Sequence, residues 1–244
     1  MREWRLDDSP IFEVGPLTEY LAALNYGARR EARHGRIILV VGDSGTGKTI
    51  GARVFCQEQT RTSPVYLPLP GRDMLSPRTF LGLLGAPVGM TFGLHEPRFD
   101  VGRRLAEDSL ERPRIFLLDD AQGLARGGLL DLVRWLHDTG AHTYILIGSF
   151  ALERVLGAYP ELASRVGVRH RMRLPTREEI EPFFAGFPED AIEAIYSETG
   201  GRMRQLVALR DWLGELAEQG KLDIADLSAK RVGIVARHAL AKVA

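Results

Sequence analysis

Two short groups of residues, far apart in the chain, have the types and spacing that phosphate chemistry needs. The first, GDSGTGKT, fits the phosphate-binding pattern G-x-x-x-x-G-K-[ST] in full. Bare backbone N–H groups can wrap a polyphosphate, and the N-terminus of a following helix adds donors and a favourable dipole. We expect Lys48 to reach the β- and γ-phosphates and the Thr49 hydroxyl to ligate Mg²⁺. The predicted nucleotide contacts are Gly42, Asp43, Ser44, Gly45, Thr46, Gly47, Lys48, Thr49 and Ile50.

The second group is Asp119-Asp120, at the end of the apolar run RIFLLDD. A buried strand that ends in two carboxylates delivers them to the carboxyl edge of a sheet, where ligands bind in open α/β folds. We expect Asp119 to hold Mg²⁺ through water and Asp120 to orient or activate the attacking water.

Ser149 ends another apolar run, TYILIGS. If this run lies beside RIFLLDD, the Ser149 hydroxyl can touch the γ-phosphate or the attacking water. An ordinary serine at a strand end is the alternative.

Five short apolar runs predict the strands that position these residues. Runs of Ile, Val, Leu and Phe without alternation suit strands covered on both faces. Helical patterns lie between the runs, and this alternation predicts a parallel α/β sheet with helices on both sides. The predicted strands are 36–42, 64–70, 114–120, 143–149 and the weaker 169–175.

After Pro175 the pattern changes to helices alone, beginning with a capping-box signature at Thr176 and Glu179. We therefore expect an α/β nucleotide-binding domain over residues 1–175 and a small all-helical lid domain over residues 176–244.

Composition limits the class of protein. The 244 residues are 45% apolar, which suffices for a sizeable core, and the formal net charge is zero. Nucleic-acid binders are usually basic overall, so any such role depends on local patches. The single cysteine rules out an intramolecular disulfide and a Cys-rich zinc site. No signal peptide or bilayer-length apolar run is visible, so we expect a soluble, cytoplasmic protein.

With these motifs the chain resembles an AAA+ ATPase. GDSGTGKT resembles Walker A, IFLLDD resembles Walker B, and IGS resembles the end of the sensor-1 strand. The resemblance implies ATP and Mg²⁺ as ligands, ATP hydrolysis, and five strands followed by a helical lid. The family usually has Asp-Glu where this chain has Asp119-Asp120. The shorter Asp120 side chain therefore leads us to expect slow hydrolysis with binding retained.

Two arginines match further positions of this family. ASRV, before the last predicted strand, resembles the arginine-finger position and places that role on Arg165, with Arg154 and Arg169 as alternatives. TGGRMRQL resembles the sensor-2 signature and places that arginine at Arg204. Solvent-exposed helical arginines without these roles are the competing interpretation.

Within AAA+, LLDDAQGL followed by LLDLVRWLHDTGAHTYILIGS is similar to the Mu B, TniB and TnsC group of transposition ATPases. That resemblance implies ATP-dependent assembly on double-stranded DNA, as an oligomer or helical filament, and delivery of target DNA to a transposase. A secretion-type or replication-loader ATPase is one alternative. A weakly hydrolysing nucleotide-switch scaffold is another.

DNA contacts would have to come from local basic clusters. We expect sequence-tolerant binding, because no motif for reading bases is visible. Solvated charged faces are the alternative interpretation of each cluster. The clusters are the five arginines between Arg165 and Arg177, the group Arg98, Arg103 and Arg104, and the last helix with Lys230, Arg231, Arg237 and Lys242.

Overall fold

The five apolar runs form one parallel sheet in the computed structural model, which describes residues 4–6, 9–11, 14–29, 36–59, 63–71, 73–93 and 95–241. The strands are β3 (Ile37–Gly42), β4 (Val65–Pro68), β5 (Ile115–Asp119), β6 (Thr143–Gly148) and β7 (Val166–Met172). Their order in the sheet is β4-β5-β6-β3-β7, and all four pairings are parallel. This confirms the predicted α/β fold.

The exposure of the edge strand β7 explains why the sequence analysis places that strand three residues too late. β3 and β5 are buried at every residue, as their unbroken apolar runs predict. β7 alternates between half-buried and exposed residues because it has only one neighbour, β3. Exposed Arg169 and Arg171 interrupt its apolar pattern, so its start at Val166 was missed.

Helices flank this sheet and supply its core. Phe80, Leu105 and Val133, from three different helices, are buried in one cluster with side chains of the strands. Burying apolar area of this kind is the main favourable term in folding. The helices are α2 (Lys48–Glu58), α3 (Pro77–Gly85), α4 (Arg98–Glu111), α5 (Leu129–Thr139), α6 (Phe150–Gly157) and α7 (Pro160–Ala163).

The strand order places three chemical groups at one edge of the sheet. β6 lies between β5 and β3, and all three strands run in the same direction. Their carboxyl ends therefore carry Asp119, Gly148-Ser149 and Gly42 side by side. The prediction for Ser149 depends on β6 lying beside β5, and the two strands are paired.

The chain separates into two compact units by its internal contacts. One unit contains Glu19–Gly42 and Lys48–Met172, which includes the sheet. The other contains Met1–Thr18, Asp43–Gly47 and Arg173–Ala244. The domain boundary near residue 175 stays a prediction.

Helices dominate the second of these units. Thr176 and Glu179 form the predicted capping box at the start of α8 (Arg177–Ile180). A short antiparallel hairpin, β1 (Trp4–Leu6) with β2 (Ser9–Ile11), was not predicted. The remaining helices are α9 (Glu189–Thr199), α10 (Met203–Glu218) and α11 (Ala229–Leu240), and α1 (Gly15–Ala28) begins in this unit.

Across the described ranges, every helix falls short of the length and apolar character that crossing a membrane requires.

His142 connects the starts of β5 and β6. Its ring is 2% exposed, and its Nδ1 accepts a hydrogen bond from the Arg114 backbone N–H at 3.0 Å. Within the described residues its buried Nε2 has no hydrogen-bond partner. Burial, with a smaller contribution from the Arg114 charge, lowers the pKa of His142 to about 4. The folded protein therefore resists protonation of this ring.

This burial predicts a loss of stability in acid. An unfolded histidine binds its proton near pH ~6.5. The contribution of neutral His142 is therefore full above that pH and falls by up to about 3 kcal/mol as the pH drops toward 4. The free energy of unfolding in urea, measured for the wild type and His142→Asn at several pH values, gives this contribution. Asn keeps an acceptor for Arg114 without titrating.

The difference between the two unfolding free energies isolates this residue, because His170 and the carboxylates titrate in both proteins. We expect the variant to gain on the wild type as the pH falls below ~6.5. Parallel stability curves would contradict the prediction.

Candidate nucleotide-binding site

The loop after β3 adopts a backbone that only glycine enters without strain. Gly45 and Gly47 have φ of 83° and 95°, in the left-handed region. The Thr46 hydroxyl and backbone N–H both donate to the Asp43 carbonyl, at 2.9 and 3.4 Å, which closes the turn. The glycines of the phosphate-binding pattern are thus the residues that this turn requires.

Lys48 begins α2, directly after the loop. Its Nζ donates to the Gly42 carbonyl, the last residue of β3, at 2.8 Å. The Lys48 ammonium group therefore lies at the end of β3, where the loop begins. A lysine held there can donate to phosphate oxygens instead, as the pattern predicts.

Asp119 is the centre of the hydrogen bonding at the sheet edge. The carboxylate is 6% exposed, and its Oδ2 accepts from the Thr49 hydroxyl and the Tyr66 hydroxyl, each at 2.7 Å. Its Oδ1 accepts from the Asp120 backbone N–H at 3.0 Å. A threonine hydroxyl and a carboxylate that converge in this way are oxygen ligands of the kind Mg²⁺ prefers, so the donor set fits the metal.

Tyr66 is a site residue that the sequence analysis missed. It lies on β4, whose register pairs Tyr66 with Leu117 and Pro68 with Asp119. Burial, followed by the hydrogen bond to Asp119, raises the pKa of Tyr66 to about 12, so the hydroxyl stays a donor. The Arg53 guanidinium lies 5.4 Å from its ring centroid. A tyrosine in an apolar run was the only signal in the sequence.

Asp120 has an unusual backbone for a non-glycine residue. Its φ is 57°, and it precedes a 3₁₀ helix over Ala121–Ala125. Aspartate tolerates this region better than most residues. Its exposed carboxylate accepts a hydrogen bond from the Gln122 side-chain amide, from Nε2 to Oδ1, at 3.1 Å.

Ser149 joins the same group through its backbone. The Ser149 N–H donates to Gln122 Oε1 at 3.4 Å, and the residue precedes α6 as its N-cap. Its side chain makes no capping hydrogen bond. The predicted contact of the hydroxyl with phosphate or water stays a prediction.

Comparison with known families decides where the chain belongs. The profile of the AAA_22 family, described as an AAA domain, matches residues 30–156, just over half of the chain. The chain belongs to this family. A search of curated proteins finds no match.

Three solved structures with the same fold are an ORC1 protein, a Cdc6p protein and one domain of the replication initiation protein DnaA. Aeropyrum pernix ORC1 in complex with DNA has a TM-score of 0.69 at 21% identity, over 97% of this chain and 67% of that one. Pyrobaculum aerophilum Cdc6p gives 0.63 at 17%, over 88% and 67%. Domain III of Thermotoga maritima DnaA gives 0.59 at 18%, over 94% of both chains.

These identities show the fold of the AAA domain and no more. The chain spans about two thirds of the archaeal ORC and Cdc6 structures it matches, between 65% and 67% of each. One of them, Aeropyrum pernix ORC2, was solved in ADPNP–ADP complexes.

In this AAA domain Arg165 follows α7 and precedes β7, as the sequence predicts for an arginine finger. Its Nε lies 2.5 Å from Asp138 Oδ1, and its Nη1 donates to the Glu161 carbonyl. The Arg165 hydrogen bond holds the pKa of Asp138 below its usual value. The side chain is 30% exposed. The finger role itself stays a prediction.

Near the predicted sensor-2 arginine, a different residue meets the phosphate loop. The Met203 N–H, at the start of α10, donates to the Gly45 carbonyl at 2.8 Å. A Cβ built on Gly45 would lie 3.1 Å from Arg202 Cβ. Arg204 is exposed on the same helix, and its sensor-2 role stays a prediction.

Ion pairs neutralise much of two predicted basic clusters. Between Arg165 and Arg177, four of the five arginines pair with carboxylates. Arg103 and Arg104 pair with Glu107 and Glu96. Among the described residues, Lys230, Arg231 and Arg237 of α11 form no ion pair, although the Asp190 carboxylate accepts from the Ala229 N–H at 3.2 Å; Lys242 lies outside the described residues.

Tyr66→Phe tests whether the hydrogen bonds to Asp119 matter for metal binding. Losing one donor leaves Asp119 less firmly oriented, and partners of ligating groups typically contribute 10-fold or more to metal affinity. We expect the affinity for Mg²⁺ to fall about 10-fold. The measurement is the Mg²⁺ concentration that half-saturates binding of a slowly hydrolysed ATP analogue.

Tyr20→Phe is the matched control, because the buried Tyr20 hydroxyl has no hydrogen-bond partner among the described residues. Its removal is expected to leave Mg²⁺ dependence unchanged. Equal behaviour of the two variants would show that the contact of Tyr66 with Asp119 has no part in metal binding.

Proposed function

We propose that this chain is an AAA+ ATPase that binds Mg²⁺-ATP through residues 42–50 and hydrolyses it. The observation that carries the proposal is the 2.7 Å contact between the Thr49 hydroxyl and the Asp119 carboxylate. It joins the helix after a complete phosphate-binding pattern to a buried carboxylate at a strand end. Thr49 would ligate Mg²⁺, and Asp119 would hold it through water.

The remaining residues receive roles from their positions. Lys48 binds the β- and γ-phosphates, and Asp120, exposed beside Asp119, orients the attacking water. Ser149 contributes at the end of the neighbouring strand, and Arg204 acts from the helical lid over residues 176–244. Arg165 acts on the nucleotide of a neighbouring subunit, which makes hydrolysis depend on assembly.

For biological role, we propose ATP-dependent assembly on double-stranded DNA and delivery of target DNA to a transposase. The support is the sequence resemblance of LLDDAQGL and the following helix and strand to the transposition ATPases. Sequence-tolerant phosphate contacts, a few from each subunit of an oligomer or filament, are compatible with a neutral monomer.

A replication initiator or loader-type role is the second candidate. The observation in its favour is the fold shared with Aeropyrum pernix ORC1 and Drosophila ORC, both of which were solved bound to DNA. Electron microscopy with ATP and duplex DNA separates the candidates. Filaments favour the transposition role, and DNA-stimulated turnover without filaments favours the second. ATP binding without turnover, even with DNA, favours a nucleotide-switch scaffold.

Two variants test the ATPase in assembled protein. Lys48→Ala is expected to lose ATP binding, because the phosphates lose their ammonium partner. Arg165→Ala is expected to bind ATP normally but to hydrolyse it at least about 100-fold more slowly, since an arginine finger contributes ~10³-fold or more.

Mixing the two variants tests the role in trans. Some interfaces in the mixture join two different variants. There the Arg165→Ala subunit binds ATP and the neighbouring Lys48→Ala subunit supplies Arg165, so both parts of the site are present. Turnover above the sum of the separate proteins is therefore expected. Arg169→Ala and Arg154→Ala serve as controls for the alternative fingers. A mixture no more active than its parts would contradict a finger at Arg165.

Neutralising α11 tests the proposed DNA contact. Lys230→Gln with Arg231→Gln is expected to weaken duplex binding and to reduce the salt dependence of affinity by about 2 in log–log slope. Arg103→Gln with Arg104→Gln removes the same charge where glutamates already neutralise it. Fluorescence anisotropy over a salt series measures both, and equal slopes in the two double variants would argue against α11.

A further inference from the structure

The side chain of Gln122 connects the ends of two neighbouring strands. Its Nε2 donates to Asp120 Oδ1 at 3.1 Å, and its Oε1 accepts from the Ser149 N–H at 3.4 Å. We propose that Gln122 is a positioning residue that holds the Asp120 carboxylate for hydrolysis and couples it to the end of β6. This inference rests on the proposed ATPase function.

The chemistry of the two partners determines which way the amide faces. An ionised carboxylate only accepts hydrogen bonds, and a backbone N–H only donates them. An amide with its NH₂ toward Asp120 and its oxygen toward Ser149 satisfies both, and the reverse orientation satisfies neither. Glutamine alone among side chains of this length offers a donor and an acceptor together.

Gly148 makes room for this arrangement. A Cβ at Gly148 would lie 2.4 Å from Gln122 Oε1, and 3.0 Å from Leu152 Cδ2. Contacts below 3 Å force one of the groups to move. The glycine at the end of β6 therefore has a purpose beyond strand packing, because it lets the amide oxygen approach the backbone.

Asp120 needs such a partner because of where it lies. Its carboxylate is exposed, and it lines an open groove of about 560 Å³ together with Gln122, Gly71 and Met74. An exposed aspartate without a partner samples several rotamers, and misplacement of a catalytic group by ~1 Å can cost ~100-fold in rate. The amide limits that freedom while the groove leaves the carboxylate open to water.

Two substitutions of Gln122 separate positioning from structural support. Gln122→Glu keeps the size and the acceptor for Ser149, but it loses the donor to Asp120 and adds a second negative charge there. Gln122→Met keeps the length and loses both hydrogen bonds. If Gln122 positions Asp120, turnover falls roughly 10-fold to 100-fold in both variants, with Glu at least as slow as Met.

A merely structural role predicts the opposite order, in which Glu resembles the wild type and Met is impaired. The measurements are kcat with saturating ATP and duplex DNA, and the Kd of a slowly hydrolysed ATP analogue. We expect kcat to fall while Kd stays within about 2-fold. Gln219→Glu makes the same charge change at an exposed helix end and is expected to match the wild type.

Gly148→Ala provides an independent variant, because it displaces the amide without altering its chemistry. We expect the same loss of kcat with Kd retained. Wild-type turnover in both Gln122→Glu and Gly148→Ala would overturn this inference and leave the proposed function standing. A rise in Kd as large as the fall in kcat would do the same. A wild type that binds ATP without any turnover would overturn the proposed function and this inference together.

Discussion

A buried carboxylate that is fully hydrogen-bonded organises the sheet edge of this protein. Removing the charge of Asp119 from water costs several kcal/mol unless donors replace the lost hydration. Thr49, Tyr66 and the backbone of Asp120 supply those donors, from three separate segments of the chain. The start of α2, the edge strand β4 and the end of β5 are therefore tied to one charged group. The same arrangement leaves oxygen ligands converging where a magnesium ion would bind.

Strand order is the reason that these segments meet. β6 is inserted between β3 and β5, so residues 70 positions apart in sequence, Thr49 and Asp119, come into hydrogen-bonding distance. The insertion also places Ser149 at the end of the strand between β3 and β5 and gives Gln122 a second partner. A sheet with β5 directly beside β3 would hold the carboxylate without that bridge, and Asp120 would have no connection to the neighbouring strand.

Charge is distributed in a way that the neutral composition conceals. Most arginines between Arg165 and Arg177 face glutamates or aspartates, including three carboxylates around Arg177. Exposed pairs of this kind add little stability, but they cancel the local positive potential that DNA would meet. Within the described part of the chain, Lys230, Arg231 and Arg237 of α11 form no ion pairs, although Asp190 lies at the start of that helix. The segment richest in arginine is thus not the strongest candidate for binding phosphate.

The sequence by itself determined the class of fold, the glycines of the turn after β3 and the start of the helical segment at Thr176. Those features depend on short-range patterns: apolar runs, glycines at left-handed positions, and a capping box at Thr176. Only the tertiary structure decided that Tyr66 donates to Asp119 and Gln122 to Asp120, that Arg202 lies against Gly45, and which arginines are paired. These outcomes depend on which strands lie side by side and which side chains then face each other. Residues on adjacent strands are far apart in the sequence, so no local sequence pattern predicts which of them will be in contact.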